Sequence, residues 1–384
     1  MNKGLIALAF GGLAIGMTEF TMMGILEVIA NDLQISIPKA GNFIAFYALG
    51  VVVGAPVLVL FSGKYPPKKV LLFLMLLFFV FNALFSVAPE YYTLLIARFC
   101  SGLPHGAFFG VGTVVAARLA KPGKAAQAIS IMFTGMTIAN LAGVPLGTYL
   151  GQEFSWRLTY GIISLLGLLT ILAIHFWLPN LENTSKDSNM FNQLNFFKTK
   201  AAWLLIAIIS IGTGGLFAWI SYISPMVTKV SGLAESQVPV IMILIGLGMF
   251  FGNILGGKVS DSVSPTKAAI ASFSTMALIL IVVYFTAHNS TMAYVMAFIT
   301  GMIAFTIGPP LQMMLITAGK GSETLAAAAG QASFNLGNTF GAFFGGIPIS
   351  MGFAYNSPPL IGVGMATIGA LLSVVFLFRF INKE

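Results

Sequence analysis

Pro179-Asn180-Leu181-Glu182-Asn183-Thr184-Ser185-Lys186-Asp187-Ser188-Asn189 is the only long polar stretch in a chain of 384 residues. On both sides of it the sequence is apolar. Hydrophobic residues make up 58%, charged residues 8%, and mean hydropathy is +0.94. A soluble domain carries roughly 25% charge, so the polar shell of a water-soluble enzyme, a disordered chain or a nucleic-acid binder is missing. The stretch itself is too polar to enter lipid. It predicts a cytoplasmic linker over residues 180–200, between membrane-embedded halves at 1–179 and 201–384.

Outward from the linker, each side divides into runs of the length that crosses a bilayer, about 20 apolar residues. They fall at 4–28, 40–61, 69–88, 91–117, 125–152 and 156–178 before the linker. After it they fall at 201–228, 237–257, 266–287, 290–316, 323–350 and 358–381. The alternation of a β-barrel is absent. The expected fold class is an all-α membrane protein of twelve transmembrane helices in two six-helix halves. The first run is too long for a cleaved signal peptide and carries Glu19, so it stays as the first helix.

The formal charge of +8 is tested against this topology before any nucleic acid is considered. With the N-terminus in the cytoplasm, fifteen Lys and Arg fall on the cytoplasmic side. Only Lys39, Arg157 and Lys229 fall outside, and Arg98 lies within a span. This is a strong positive-inside bias. It places both termini in the cytoplasm and removes nucleic acid as a partner, leaving the lipid bilayer and a small-molecule substrate. Cys100 is the single cysteine, and the three His are far apart, so no disulfide, metal site or cofactor is expected.

The halves echo one another. Shifted by 198 residues, Gly50 meets Gly248, Gly54 meets Gly252, Ser62 meets Ser260, Pro67 meets Pro265 and Lys69 meets Lys267. A weaker echo pairs Gly135 and Gly143 with Gly337 and Gly345. Parallel halves of six spans are a transporter plan.

Four segments carry a resemblance to a known family. They are Gly16-Met17-Thr18-Glu19-Phe20-Thr21-Met22-Met23-Gly24; Arg98 through Gly110; Gly143-Val144-Pro145-Leu146-Gly147-Thr148 with Gly151 and Trp156-Arg157; and Phe334-Asn335-Leu336-Gly337-Asn338 with Gly341. Through them the chain resembles the major facilitator superfamily, in the drug:proton antiporter branch and its arabinose efflux permease-like (AraJ-like) group. The resemblance covers nearly the whole chain. It implies a bacterial inner-membrane protein, a monomer, energised by the proton gradient, exporting a small organic solute such as a sugar, a nucleoside or purine, or a drug. It places Arg98 in a motif associated with proton transfer. It makes Gly143, Pro145 and Gly147 an antiporter motif at the interface between halves. It also implies a cytoplasmic gate after the second helix of each half. Gly54, Lys64, Lys68 and Lys69 carry the first copy, without its usual acid. Asp261 keeps an acid in the second.

Glu19 is the sharpest chemical signal, a carboxylate in mid-span. A charged side chain at mid-bilayer costs about 2.5–3.5 kcal/mol on insertion scales. It persists when paired, wetted or protonated. At about 1.5 Å per residue, Glu19 and Arg98 lie roughly 13 and 10 Å below the outer surface, so Arg98 is its expected partner. Desolvation favours the protonated acid and a guanidinium favours the ionised one, and a conformational change can shift that balance. The other reading pairs Arg98 with Glu90 at the surface. His105, seven residues along the same helix face, extends a proton path or donates a structural hydrogen bond. Substrate candidates are Gln331, Asn335 and Asn338 on one face of the eleventh run, Trp219 and Tyr222 on the seventh, Gln312 on the tenth and Asn140 on the fifth. Amides and aromatic faces suit a neutral or weakly charged organic molecule. Proton-coupled uptake uses the same acid and is the alternative to efflux. No metalloprotease, paired-Asp or nucleophile-elbow motif occurs, so an enzyme is not expected.

Overall fold

The computed structural model describes residues 2–62, 65–121, 125–181, 194–319 and 323–381. They form α1 (Lys3–Gly24), α2 (Leu26–Asp32), α3 (Ile37–Ser62), α4 (Pro67–Val87), α5 (Tyr91–Leu119), α6 (Ala125–Ile138), α7 (Val144–Leu150) and α8 (Trp156–Trp177). After the linker come α9 (Lys200–Gly212), α10 (Gly214–Ile220), α11 (Ile223–Lys229), α12 (Val238–Ser262), α13 (Pro265–Thr286), α14 (Ser290–Thr306), α15 (Gly308–Ala318), α16 (Glu323–Ser350) and α17 (Pro358–Phe376). No strand occurs among the described residues. Polar caps mark where the chain leaves the apolar runs. Asn2, Ser155, Thr199, Ser264 and Asn289 each accept a backbone N–H of the helix that follows, satisfying donors that lipid cannot.

Ten stretches among the described residues are long and apolar enough to cross a membrane. One of them, Ala128–Trp177, is 50 residues long, about twice what a bilayer needs. It is not straight: Ser155 is extended (φ −166°, ψ 135°) and starts α8 as its N-cap, and both α6 and α8 pack on α1. The expected run at 323–350 is a helix of 28 residues, though not among the ten. The expected linker is polar only in part. Residues 182–193 lie outside the described residues, but Leu194–Lys198 form a short 3-10 turn with Phe196 buried.

The sequence echo has a structural counterpart. In α3 and α5, a Cβ on Gly50 would strike the carbonyl oxygen of Phe99, one on Gly54 that of Leu103, and one on Gly102 that of Tyr47. In α12 and α14, Gly248 meets Phe298, Gly252 meets Met302 and Gly301 meets Ile245 in the same way. Backbones touch at these points, which only glycine permits. Gly54 is thus a packing glycine.

The helix changes form just before Pro145. The five residues Ala139–Gly143 make a π-helical turn directly before α7. Pro145 has no N–H to return to the preceding turn, and widening that turn is one way helices absorb the loss. Gly143 packs on Met17 and Gly147 on Thr21 of α1.

Candidate substrate cavity and charge cluster

A cavity of about 510 Å³ lies between the helices, within the range that holds small organic ligands. Glu19 and His105 line it from the middle of their helices. The rest of its wall comes from Thr137 and Asn140 of the π-turn region, Met249, Phe250 and Asn253 of α12, Gln312 and Leu315 of α15, and Gln331, Phe334 and Asn335 of α16. It therefore runs toward the end of the bundle where α6 and α16 begin and α12 and α15 finish. Five Phe rings line it: Phe20, Phe133, Phe250, Phe305 and Phe334. Its polar groups are amides, one hydroxyl, one imidazole and one carboxyl. No Lys or Arg lines it.

Of the expected substrate contacts, Asn140, Gln312, Gln331 and Asn335 line this cavity. Asn335 donates from Nδ2 to the Gln331 carbonyl at 3.0 Å, leaving its buried Oδ1 without a partner among the described residues. Three candidates are elsewhere. Tyr222 is buried and donates its hydroxyl to Ala342 O at 2.7 Å. Trp219 is buried away from the cavity. Their one-turn spacing reflects packing of α10 and α11 against α16. Asn338 is fully buried, and its amide stands beside the Glu19 carboxyl and interacts with it. The face shared by Gln331, Asn335 and Asn338 is real, but it runs from the cavity into the bundle.

Glu19 is 3% exposed, and its Oε1 has no hydrogen-bond partner among the described residues. Arg98 does not pair with it directly. The guanidinium is fully buried and bonds neutral groups: Nη1 donates to Thr18 Oγ1 at 3.0 Å, Nη2 to Thr18 O at 3.2 Å and Nε to Phe43 O at 3.2 Å. It makes no ion pair among the described residues, with Glu90 or with any other acid. The reason is geometric. Thr18, one residue before Glu19, takes the fork, while the carboxyl faces the cavity from within electrostatic range. Thr18 Oγ1 is in turn fixed by a 2.6 Å hydrogen bond to Asn82 Oδ1. The cation also lies over Tyr47 at 4.3 Å, Tyr160 at 5.4 Å and Phe85 at 5.5 Å, an aromatic cage that suits a desolvated guanidinium. Tyr47 links onward, sharing a 3.1 Å hydrogen bond with His105 Nδ1. Arg98 and His105 are thus joined through Tyr47, and Glu19 stands within electrostatic range of Arg98; Thr18, Asn82 and Tyr47 complete the cluster, and the sequence reading gave them no role. Asn82 carried a signal: it is the lone amide in its apolar run.

The gate residues divide. Lys68 donates Nζ to the Leu178 carbonyl at 2.6 Å and so caps α8, while Lys69 is exposed. Lys64 and the side chain of Asp261 lie outside the described residues. A second buried acid was not anticipated: Glu27, on α2, is 7% exposed and ion-paired with Lys229.

Comparison with known proteins follows the same lines. The sequence model of the Major Facilitator Superfamily matches residues 8–331. AraJ, a candidate transporter of Escherichia coli (strain K12), is 42% identical over 384 residues, covering 100% of this chain and 97% of its own. The inner membrane transport protein YdhP of the same strain is 36% identical over 373 residues, covering 97% and 95%. The crystal structure of a bacterial homologue of the human lysosomal transporter Spinster, inward-facing and unoccupied, superposes with a TM-score of 0.75 at 16% identity, over 99% of this chain and 98% of that one.

Proposed function

The chain belongs to the Major Facilitator Superfamily, and from that premise we propose that it is a proton-coupled exporter of a small organic solute. It is a membrane transporter, not an enzyme. In this reading α1 to α17 make twelve crossings in two halves, with the 50-residue stretch crossing twice about Ser155. Both termini lie in the cytoplasm of a bacterial cell, in its inner membrane. The cavity then opens to the cytoplasm, and rocking of the halves exposes it alternately to each side.

One observation carries the reading: a buried carboxyl lines the cavity, within range of a buried cation that has no ion-pair partner among the described residues. A proton on Glu19 and a solute in the cavity then compete for one conformational equilibrium. The amides at Asn140, Gln312, Gln331 and Asn335, set among Phe rings, favour a neutral or weakly charged solute with hydrogen-bonding groups. Efflux is preferred over uptake because Gly143, Pro145 and Gly147 match the antiporter motif and lie at the π-turn beside α12.

The test uses inside-out vesicles with an imposed proton gradient and a pH-sensitive dye. Sugars, nucleosides and drugs are added in turn to wild type and Glu19→Gln. Substrate-evoked proton movement that collapses in Glu19→Gln is the expected result. Solute movement with no proton flux, or flux unchanged in Glu19→Gln, overturns it. Proton and solute moving in the same direction would favour uptake instead.

A further inference from the structure

One buried carboxylate has no part in the cavity. Glu27 stands where α2 ends the first run, and both its oxygens are taken by a single opposing helix. Oε1 pairs with Lys229 Nζ at 2.9 Å, and Oε2 accepts from Thr228 Oγ1 at 2.8 Å. Thr228 and Lys229 are the last two residues of α11, about two hundred positions away in the chain. The ammonium also lies 5.2 Å from the centre of the Tyr355 ring. At the start of the same helix, the Tyr222 hydroxyl lodges between Gly41 of α3 and Gly346 of α16. All of this is at the end of the bundle away from the cavity mouth.

The nearby pair Arg157–Asp32 is a useful contrast. It is 3.8 Å long, with side chains 32% and 51% exposed, and both partners lie before the linker. An exposed, loose pair contributes little. The Glu27 pair is shorter, its carboxylate side chain is only 9% exposed although Lys229 is 39% exposed, and it bridges segments on opposite sides of the linker. Removing one partner of such a pair leaves a charge with no compensation. A contact of this kind is either made or lost, which makes it a two-position element rather than a graded one.

We propose that Glu27, Thr228 and Lys229 form a latch that holds the α2–α11 end closed while the cavity is open at the other end. They are positioning residues: they touch no solute and set which face is open. The proposal rests on the alternating-access reading above. Separating the pair exposes Glu27 and Lys229 to water, where each is solvated independently. A solute or proton at the cavity must then supply the difference between latched and unlatched populations.

The test is a distance, read without substrate or proton gradient, so it is independent of the role given to Glu19. In a Cys100→Ser background, spin labels on Asn31→Cys and Ser236→Cys, both at exposed positions, report the separation of the two segments in lipid nanodiscs. Wild type is expected to give a single short distance. Glu27→Gln and Lys229→Met are expected each to add a longer component, raising the open fraction at least fivefold. Thr228→Val is expected to give a smaller rise. The exchange Glu27→Lys with Lys229→Glu is expected to restore the short distance, which also excludes simple misfolding of the single variants. An unchanged distribution in both single variants overturns the latch. So does a long component that the exchange fails to reverse.

Discussion

The α3–α5 pair and the α12–α14 pair are built on one plan and filled differently. Gly50, Gly54 and Gly102 bring the first pair into backbone contact, and Gly248, Gly252 and Gly301 do the same for the second. With that register fixed, other positions can be matched. Tyr47 corresponds to Ile245, Arg98 to Ala297, Ser101 to Thr300 and His105 to Ala304. The first pair therefore holds one ring of the cage, the cation and the imidazole, and at the matched positions the second holds aliphatic side chains and one buried hydroxyl, Thr300, that has no partner among the described residues. Close glycine contact accounts for helix association in both, because apolar side chains gain little by leaving lipid for protein. The charges add nothing the second pair needs in order to pack. Their presence in the first pair alone points to function.

The largest expected effect comes from erasing that difference. Arg98→Met makes the first pair resemble the second while keeping a long side chain over Tyr47. Helix packing is expected to survive, since the glycine contacts are untouched and Thr18 keeps its bond to Asn82. Substrate-evoked proton movement is expected to fall on the order of 10²–10³-fold, the range for losing one preorganised group that stabilises charge. A folded variant with undiminished proton flux would show the cation to be structural.

The reverse exchange is the next in size. Ala297→Arg puts a guanidinium where the second pair has Ile245 in place of the Tyr47 ring, and so no aromatic face from its partner helix. The cost is expected to be about 2.5–3.5 kcal/mol, that of a charge held at mid-bilayer. It would be read as a lower unfolding midpoint in a denaturant series in mixed micelles. A midpoint equal to wild type would mean the second pair can solvate a charge, and that the comparison has been drawn too sharply.

Much of this was legible in the sequence, and the reasons differ by feature. Helix positions followed from run length. The repeat was legible because backbone contact tolerates only glycine, so register survives when side chains diverge. Glu19, Arg98 and His105 stood out because ionisable groups are rare in lipid. How they connect did not follow, because Thr18, Tyr47 and Asn82 are common residues whose meaning comes from where the helices cross. Trp219 and Tyr222 were misplaced for a related reason: spacing along a helix says which residues share a face, and not which neighbour that face meets. Glu27 was overlooked because its partner lies across the linker, beyond the reach of any local pattern.

A moderate effect tests whether the shared plan is shared in energy. Gly50→Val and Gly248→Val each drive a side chain into a carbonyl, of Phe99 and of Phe298. Each is expected to cost about 1–3 kcal/mol, as overpacking does, and by similar amounts, read as paired shifts in the same unfolding series. Sharply unequal costs would mean that the charge cluster, rather than glycine contact, holds the first pair together.

The smallest effect isolates the link that only the first pair possesses. Tyr47→Phe keeps the ring under Arg98 and removes the hydroxyl that bonds His105 Nδ1. The stability cost is expected to be about 0.5–1.5 kcal/mol, the net value of one hydrogen bond. Transport separates the two roles open to His105. If the imidazole relays protons, Tyr47→Phe frees its ring orientation, and proton flux is expected to lose coupling while solute binding to the Gln331–Asn335 face is kept. If His105 only packs, flux and binding are expected to stay together, each close to wild type. The split between them, measured by dye response and by equilibrium binding on one vesicle preparation, decides whether the cluster ends at Arg98 or continues to the cavity wall.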